Sequence, residues 1–173
     1  NILNDDLKRT KIINKTGLKP NTFFSGSKLK WIYDEKEEIR RKIDNGEILF
    51  GTIETYLIYR LTNMESYVSD TTNASRTLLF NCLTNEWDQE LLNIFDIKKI
   101  KLPKVINSSN IFGESNFNKI FNKIIPIIGV AGDAQASLFA NFCFNKGDTK
   151  ITTGTGFNIQ TNIGNKMFID EKS

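Results

Sequence analysis

Apolar residues recur at helical spacing in two stretches of the first third of the chain. In residues 25–43 they lie three, four and seven positions apart, at Leu29, Ile32, Ile39 and Ile43. This spacing predicts one helix, which the Asn-Gly pair at 45–46 would end. A second helix is predicted after Thr52, whose hydroxyl is able to cap it. Its apolar face would consist of Ile53, Leu57, Ile58 and Leu61.

Several shorter patterns surround these helices. Residues 1–24 are polar, with a turn predicted at 20–22, and residues 48–50 form a short strand or an approach to the second helix. Residues 67–81 contain both polar and apolar side chains and are predicted to be extended at both ends. Thr84 or Asn85 would cap a helix over 87–95. Residues 108–122 are predicted to be a polar loop with one short strand near 111–112.

The clearest strand signal is the apolar run at 124–130, which ends in Gly129-Val130. A continuous β-branched run of this kind is typical of a strand buried on both faces. A helix is predicted from Ala134 to about residue 142. Residues 150–163 are predicted to form a hairpin with its bend at 153–156.

Composition excludes several function classes. The 173 residues are 39% apolar and 25% charged with a net charge of +3, so the chain is globular and carries too little charge bias to indicate nucleic-acid or membrane binding. No apolar run approaches the roughly 18 residues of a membrane span. The absence of histidine excludes Ser-His and Cys-His catalysis and most zinc sites. The two cysteines are predicted to be reduced thiols, which fits a cytoplasmic protein.

Asp133 is the first candidate for chemistry, because it follows the predicted buried strand and precedes a helix. In open α/β sheets ligands bind at that edge. Asp133 could also simply cap its helix, and one carboxylate is able to do both. The N-terminus of a helix favours the anion, which suits a proton acceptor.

The second candidate is the bend Thr153-Gly154-Thr155-Gly156. It is either an ordinary hairpin turn or a phosphate contact, which would use backbone N–H groups and the hydroxyl of Thr155. It is not a Walker loop, since no Gly-Lys-Ser/Thr sequence follows.

Together these segments resemble the FGGY carbohydrate kinases, and within them the glycerol kinase branch. The resemblance covers about residues 15–165 and rests on five stretches in the family's order: 23–32, 46–58, 69–81, 132–136 and 154–156. The stretch 69–81, Ser-Asp-Thr-Thr-Asn-Ala-Ser-Arg-Thr-Leu-Leu-Phe-Asn, is the one most specific to the branch.

The resemblance implies an α/β, actin/ribonuclease-H-like kinase of two domains with its site in the cleft between them. Residues 1–143 would be the later part of the N-terminal domain, and residues 144–173 would begin the C-terminal domain. The implied reaction is phosphorylation of glycerol by ATP with Mg²⁺, in a cytoplasmic homo-oligomer. Asp133 matches the family's catalytic base, and Gly154 and Thr155 match its nucleotide-phosphate contact. Phe23, Asp133 and Ala134 fall at substrate-contacting positions.

Three residues depart from the family pattern. A tyrosine that contacts glycerol is replaced by Phe23 and a glutamine by Ala134, while the position of an aromatic residue that packs on glycerol falls near Asn158. The resemblance also puts the first phosphate loop, with its metal-binding acidic residue, before Asn1, so this segment alone is expected to be inactive and to hold no metal ligand. Two alternatives stay open: a related kinase for another polyol or a ketose, and a non-catalytic remnant or partner subunit.

Overall fold

The computed structural model of the chain describes residues 2, 5–117, 120–154, 156–167 and 169. These residues form two compact units, 1–130 and 131–173. The fold is mixed α/β, with seven helices and eight short strands among the described residues.

The first helix, α1 (Asp6–Thr16), was not predicted from the polar N-terminal stretch. The sequence features that indicate this helix are its two capping residues rather than an apolar face. The side chain of Asp5 accepts a hydrogen bond from the backbone N of Lys8 at 3.1 Å, and Gly17 ends the helix with a φ of 69°. The helix buries only Ile12 and Thr16, so a search for apolar spacing does not find it.

The single helix predicted over 25–43 is two helices, α2 (Ser25–Glu35) and α3 (Glu37–Asp44). The chain breaks at Lys36, whose φ of −119° and ψ of 84° are not helical. The apolar spacing continues across the break because Leu29 and Ile43 are buried in the same core.

Helix α4 (Ile53–Leu61) begins where it was predicted, but its predicted apolar face is wrong in part. Ile53 and Leu57 are 71% and 50% exposed. The buried residues of the helix are Thr55 and Ile58. The N-cap position is occupied by Thr52, although its side chain makes no capping hydrogen bond.

Two strands then pair in parallel, β1 (Val68–Asp70) and β4 (Lys104–Ile106). The short helix α5 (Thr71–Ala74) follows β1 directly. The strand considered for residues 48–50 is a single parallel bridge between Leu49 and Lys101.

Between these strands lie the small antiparallel pair β2 (Phe80–Asn81) and β3 (Glu86–Trp87) and helix α6 (Gln89–Ile94). Helix α6 is shorter than predicted, and its N-cap is Asp88 rather than Thr84 or Asn85. The carboxylate of Asp88 accepts hydrogen bonds from the backbone N of Glu90 and Leu91 at 2.8 and 3.1 Å.

Asp88 also connects α6 to α1 through an ion pair with Lys15. The ammonium of Lys15 lies 2.9 and 2.8 Å from the two carboxylate oxygens of Asp88, and 2.7 Å from Glu90. Burial alone would lower the pKa of Lys15, but the two carboxylates raise it above its ordinary value. The elements around this contact share one apolar core, which consists of Ile12, Leu29, Ile43, Leu78, Leu79, Leu91, Leu92, Phe95, Ile97 and Ile100.

The last part of the first unit is an antiparallel pair, β5 (Ser109–Ser115) and β6 (Ile125–Gly129). β5 is a seven-residue strand where a polar loop with a shorter strand was predicted. β6 is a strand as predicted, but it is not buried on both faces, since Ile128 is 65% exposed. Among the described residues β6 pairs only with β5, so no strand of this part of the chain pairs with its other edge.

The second unit consists of helix α7 (Asp133–Ala140) and the antiparallel hairpin β7 (Thr149–Thr153) and β8 (Phe157–Thr161). The predicted helix and hairpin are both confirmed, and α7 lies beside β8.

Candidate functional site

Asp133 is the first residue of α7 rather than its cap. Gly132 holds the N-cap position with a φ of −58° and a ψ of 143°, and no side chain caps the helix. The capping interpretation is therefore wrong, because the cap precedes the helix and the carboxylate stands one position inside it. Oδ1 of Asp133 instead accepts a hydrogen bond from the backbone N of Ala134 at 2.7 Å.

The position of Asp133 suits a proton acceptor. Its side chain is exposed, and Oδ2 has no hydrogen-bond partner among the described residues. In the first turn of a helix the macrodipole stabilises a negative charge. One oxygen is thus held by the local backbone and the other is free to meet a ligand.

The bend of the β7–β8 hairpin belongs to the same unit as Asp133. The backbone N of Gly154 donates to the carbonyl oxygen of Gly156 at 3.1 Å. A Cβ added at either glycine would meet no atom within 4 Å, so the backbone of the bend is open to close approach. The predicted contact Thr155 lies outside the described residues.

The remaining predicted residues are divided between the units. Ala134 is the second residue of α7, and Asn158 lies in β8 opposite Thr152. The structure thus brings Asp133, Ala134, Gly154 and Asn158 into one compact unit. Phe23 belongs to the other unit.

Phe23 lies just before α2 and is 74% exposed. Its ring meets that of Phe24 edge to face, with the centroids 5.5 Å apart. Its backbone N donates to Oδ1 of Asn21 at 2.9 Å, which fixes the turn that presents the ring. An exposed aromatic ring of this kind is able to pack on the carbon face of a polyol.

An extensive polar network surrounds Asp70, which sequence reasoning did not single out. Asp70 is fully buried at the carboxyl end of β1. Its Oδ2 accepts from Oγ1 of Thr72 at 2.6 Å and from Oγ of Ser108 at 2.7 Å. Its Oδ1 accepts from Nδ2 of Asn73 at 2.6 Å. The backbone N of Thr72 and of Asn73 also donate to it, which makes Asp70 the N-cap of α5.

These donors decide the ionisation of Asp70. Burial acts to raise the pKa of its carboxyl, but the hydrogen bonds from Thr72, Ser108 and Asn73 outweigh burial and hold the pKa below its ordinary value. A buried carboxylate with this many donors is a stable anion. The local signal is an Asp ahead of Thr-Thr-Asn, an N-cap pattern, whereas Ser108 lies 38 residues away and has no sequence signal.

The part of the chain that the structure describes offers no metal site of its own. No group of three or more His, Cys, Asp or Glu residues in it could hold a metal ion. An open cleft of about 580 Å³ lies between α2 and the end of α6, near Lys30, Asp34 and Asp96. None of the predicted site residues lines it. None of the described helices has the length and apolar character needed to cross a membrane.

Comparison with known families gives one match, over residues 1–140. It is to the N-terminal domain of the FGGY family of carbohydrate kinases. The match therefore covers the whole first unit and continues through α7.

Among individual proteins the chain is similar to glycerol kinases. It is 51% identical over 160 residues to the glycerol kinase of Saccharolobus islandicus, and the matched residues cover 92% of this chain and 31% of that protein. It is 45% identical over 168 residues to the glycerol kinase of Clostridium perfringens, covering 94% of this chain and 34% of that protein. The chain thus spans about a third of the length of these relatives.

Solved structures of the same kind share the fold. The glycerol kinase of Plasmodium falciparum, solved with ADP, is 37% identical with a TM-score of 0.81, covering 87% of this chain and 30% of that one. A xylulose kinase from Lactobacillus acidophilus is 29% identical with a TM-score of 0.79, covering 92% and 33%. These similarities confirm the expected actin/ribonuclease-H-like kinase fold.

Proposed function

Since the chain belongs to the FGGY family of carbohydrate kinases, we propose that it is part of a glycerol kinase, which transfers the γ-phosphoryl group of ATP to glycerol. The observation that carries this proposal is the 45–51% identity to glycerol kinases over more than 90% of the chain. Because the chain spans about a third of those relatives, the activity is assigned to the full-length protein that contains it.

In the proposed reaction Asp133 acts as the general base. A hydroxyl oxygen of the polyol attacks the γ-phosphorus, its proton passes to the Asp133 carboxylate, and the bond between the γ-phosphorus and the leaving oxygen of ADP breaks. Phosphoryl transfer depends mainly on positioning and charge neutralisation. The exposed carboxylate of Asp133 and its free Oδ2 support this role.

Gly154 is proposed to contact the nucleotide phosphates through its backbone. The open space around the bend supports this, since an oxygen could approach the chain without meeting a side chain. The hydroxyl of Thr155 is proposed as a further contact on the strength of the family resemblance alone.

ATP is the nucleotide that a kinase of this family uses, and Mg²⁺ is proposed to accompany it. Mg²⁺ is commonly held by one or two carboxylates together with substrate phosphates. The described residues provide no clustered ligands for it.

Substrate recognition is proposed to involve Phe23, Asp133 and Ala134. Phe23 offers a ring face but no hydroxyl, and Ala134 offers no side-chain amide. Each lost hydrogen bond weakens binding by about 1 kcal/mol. Asn158 could replace one of them, because its amide is exposed on β8.

A second candidate function is phosphorylation of a different polyol, a ketose or a sugar acid. It is favoured by the substitutions at Phe23 and Asn158 and by similarity to a xylulose kinase and a gluconate kinase, each 29% identical with a TM-score of 0.79. The higher identity to glycerol kinases makes glycerol the first choice.

Three further properties are proposed for the full-length protein. The domain border lies between residues 143 and 144, the protein is cytoplasmic, and it forms a homo-oligomer. The free thiols of Cys82 and Cys143 support a reducing compartment. Cell fractionation and light scattering of the purified protein test the location and the assembly.

The test is ADP release by the purified full-length protein with glycerol, xylulose, other pentuloses and gluconate. The highest kcat/KM is expected with glycerol. A higher value with another compound would select the second candidate. No turnover with any of them would indicate a non-catalytic protein. The 173 residues alone are expected to release no ADP.

A further inference from the structure

The segment 69–81 contacts the start of α2 at two points that the proposed reaction does not use. The backbone N of Gly26 donates to the carbonyl oxygen of Thr77 at 2.8 Å. The guanidinium carbon of Arg76 lies 5.1 Å from the centre of the Phe24 ring. Both contacts fall within three residues of Phe23, the proposed substrate contact.

The contact at Gly26 fixes the two segments against each other. A Cβ at Gly26 would stand 2.8 Å from the carbonyl oxygen of Thr77 and 3.2 Å from the side chain of Leu79. Thr77 and Leu79 are fully buried, so neither is able to move away easily. The close approach of Thr77 to α2 therefore needs a glycine at position 26. It also determines where Arg76 contacts Phe24, the residue before α2.

The rings of Phe24 and Phe23 connect Arg76 with the solvent-exposed surface of the first unit. Phe24 is partly buried, and its ring meets Phe23 edge to face at an angle of 85°. On the outer side, the ammonium of Lys28 lies 5.8 Å from the centre of the Phe23 ring. Two cations thus bracket an aromatic pair, a geometry in which each cation is attracted to a ring face.

Neither cation is engaged in an ion pair with a carboxylate of the described residues. The attraction to the rings is therefore the specific contact that holds the Arg76 guanidinium in place. Because Phe23 is otherwise exposed, the orientation of its ring depends on Lys28, on Phe24 and on what fixes Phe24.

We infer that Arg76 is a positioning residue for substrate binding, which fixes Phe24 by a cation–π contact and through it orients Phe23 toward the polyol. The inference rests on the proposed function for the place of Phe23 at the substrate. It gives a physical role to the arginine of the segment 69–81.

The test uses the full-length protein with Arg76→Met, which keeps much of the side-chain length but removes the charge. We expect KM for glycerol to rise about two- to fivefold, with kcat and KM for ATP nearly unchanged. Arg76→Lys keeps a cation over Phe24 and should restore most of the affinity. The matched control is Arg60→Met, at an exposed arginine of α4, which should leave KM unaltered.

A second readout does not depend on catalysis. With 4-fluorophenylalanine placed at position 23, the ¹⁹F resonance should shift or broaden in Arg76→Met but not in Arg60→Met. An unchanged resonance in Arg76→Met would overturn the inference, and so would an unchanged KM. A wild-type protein that does not phosphorylate glycerol would instead refute the proposed function, while the resonance would still report on the contact.

A double-mutant cycle with Phe24→Leu separates a direct contact from two independent effects. If Arg76 acts through the ring of Phe24, the double variant should have a KM close to that of Phe24→Leu alone. If the rise in KM of the double variant equalled the product of the rises in the two single variants, action through Phe24 would be contradicted.

Discussion

The hydroxyl of Ser108 donates a hydrogen bond to the buried carboxylate of Asp70 at 2.7 Å. Asp70 ends β1, and Ser108 follows the end of β4, so this bond joins the carboxyl ends of two parallel strands. The backbone N of Val130, just after β6, donates to the carbonyl oxygen of Ser108 at 3.0 Å. Three strand ends are thus connected through one serine.

The variant Asp70→Asn should destabilise the fold by about 1–3 kcal/mol. An amide turns one acceptor oxygen into a donor, which would face the donors from Thr72 or Asn73. Urea unfolding of the full-length protein, followed by circular dichroism, measures the change. Asp34→Asn is the control, because Asp34 is half exposed in an (i, i+4) pair with Lys30, and it should alter stability by less than about 0.5 kcal/mol.

The same carboxylate makes stability depend on pH. Because the folded protein holds the pKa of Asp70 below its unfolded value, its stabilising contribution is present above about pH 4 and is lost as pH falls through the folded pKa. The difference in unfolding free energy between wild type and Asp70→Asn should therefore shrink on acidification. A difference that stayed constant down to the lowest measurable pH would contradict a lowered pKa.

The variant Asp133→Asn should lower kcat for phosphorylation by about 10²–10⁴-fold, the usual contribution of a general base. KM for ATP should change little, since the amide keeps the shape of the side chain. Steady-state ADP release measures both constants. Glu114→Gln makes the same chemical change at an exposed position of β5 and should retain full activity.

The variant Phe23→Tyr should lower KM for glycerol about fivefold, because one added hydrogen bond contributes about 1 kcal/mol. Phe121→Tyr, at another exposed phenylalanine, is the control for adding a phenol. An unchanged KM in Phe23→Tyr would show that the ring edge does not reach a substrate hydroxyl.

The variant Gly26→Ala should cost about 1–3 kcal/mol, the usual penalty for overpacking. The added methyl group would stand 2.8 Å from a backbone oxygen. Gly129→Ala is the comparison, since a Cβ there meets nothing nearer than the carbonyl oxygen of Ser108 at 3.9 Å. Equal unfolding midpoints for the two variants would contradict the close approach.

Sequence reasoning succeeded where local signals determine the outcome. The hairpin of the second unit and the start of α4 follow from turn residues and short-range spacing, and the structure shows both. It failed at α1, whose helix depends on its caps, and at Lys36, where the apolar pattern continues through a break. It also failed for the burial of β6, because burial depends on neighbouring strands that a single strand's sequence does not specify.

In the candidate site, too, local patterns predict some residues and miss the contacts between residues distant in sequence. Asp133 and the bend at Gly154 could be proposed from the sequence because each stands at a recognisable junction of elements. The contacts of Asp70 with Ser108 and of Arg76 with Phe24 join residues 38 and 52 positions apart. Such pairs arise only when the chain folds, so no local pattern predicts them.

The ion pair of Lys15 and Asp88 has a consequence for folding kinetics. It joins residues 73 positions apart, and closing so long a loop carries an entropy cost that nearby contacts avoid. We expect this pair to form after the folding transition state, so that removing it accelerates unfolding and leaves the folding rate nearly unchanged, which stopped-flow folding and unfolding of Asp88→Asn would measure. On this expectation the pair governs how long α1 stays attached to α6 in the folded protein rather than how quickly the chain reaches that state.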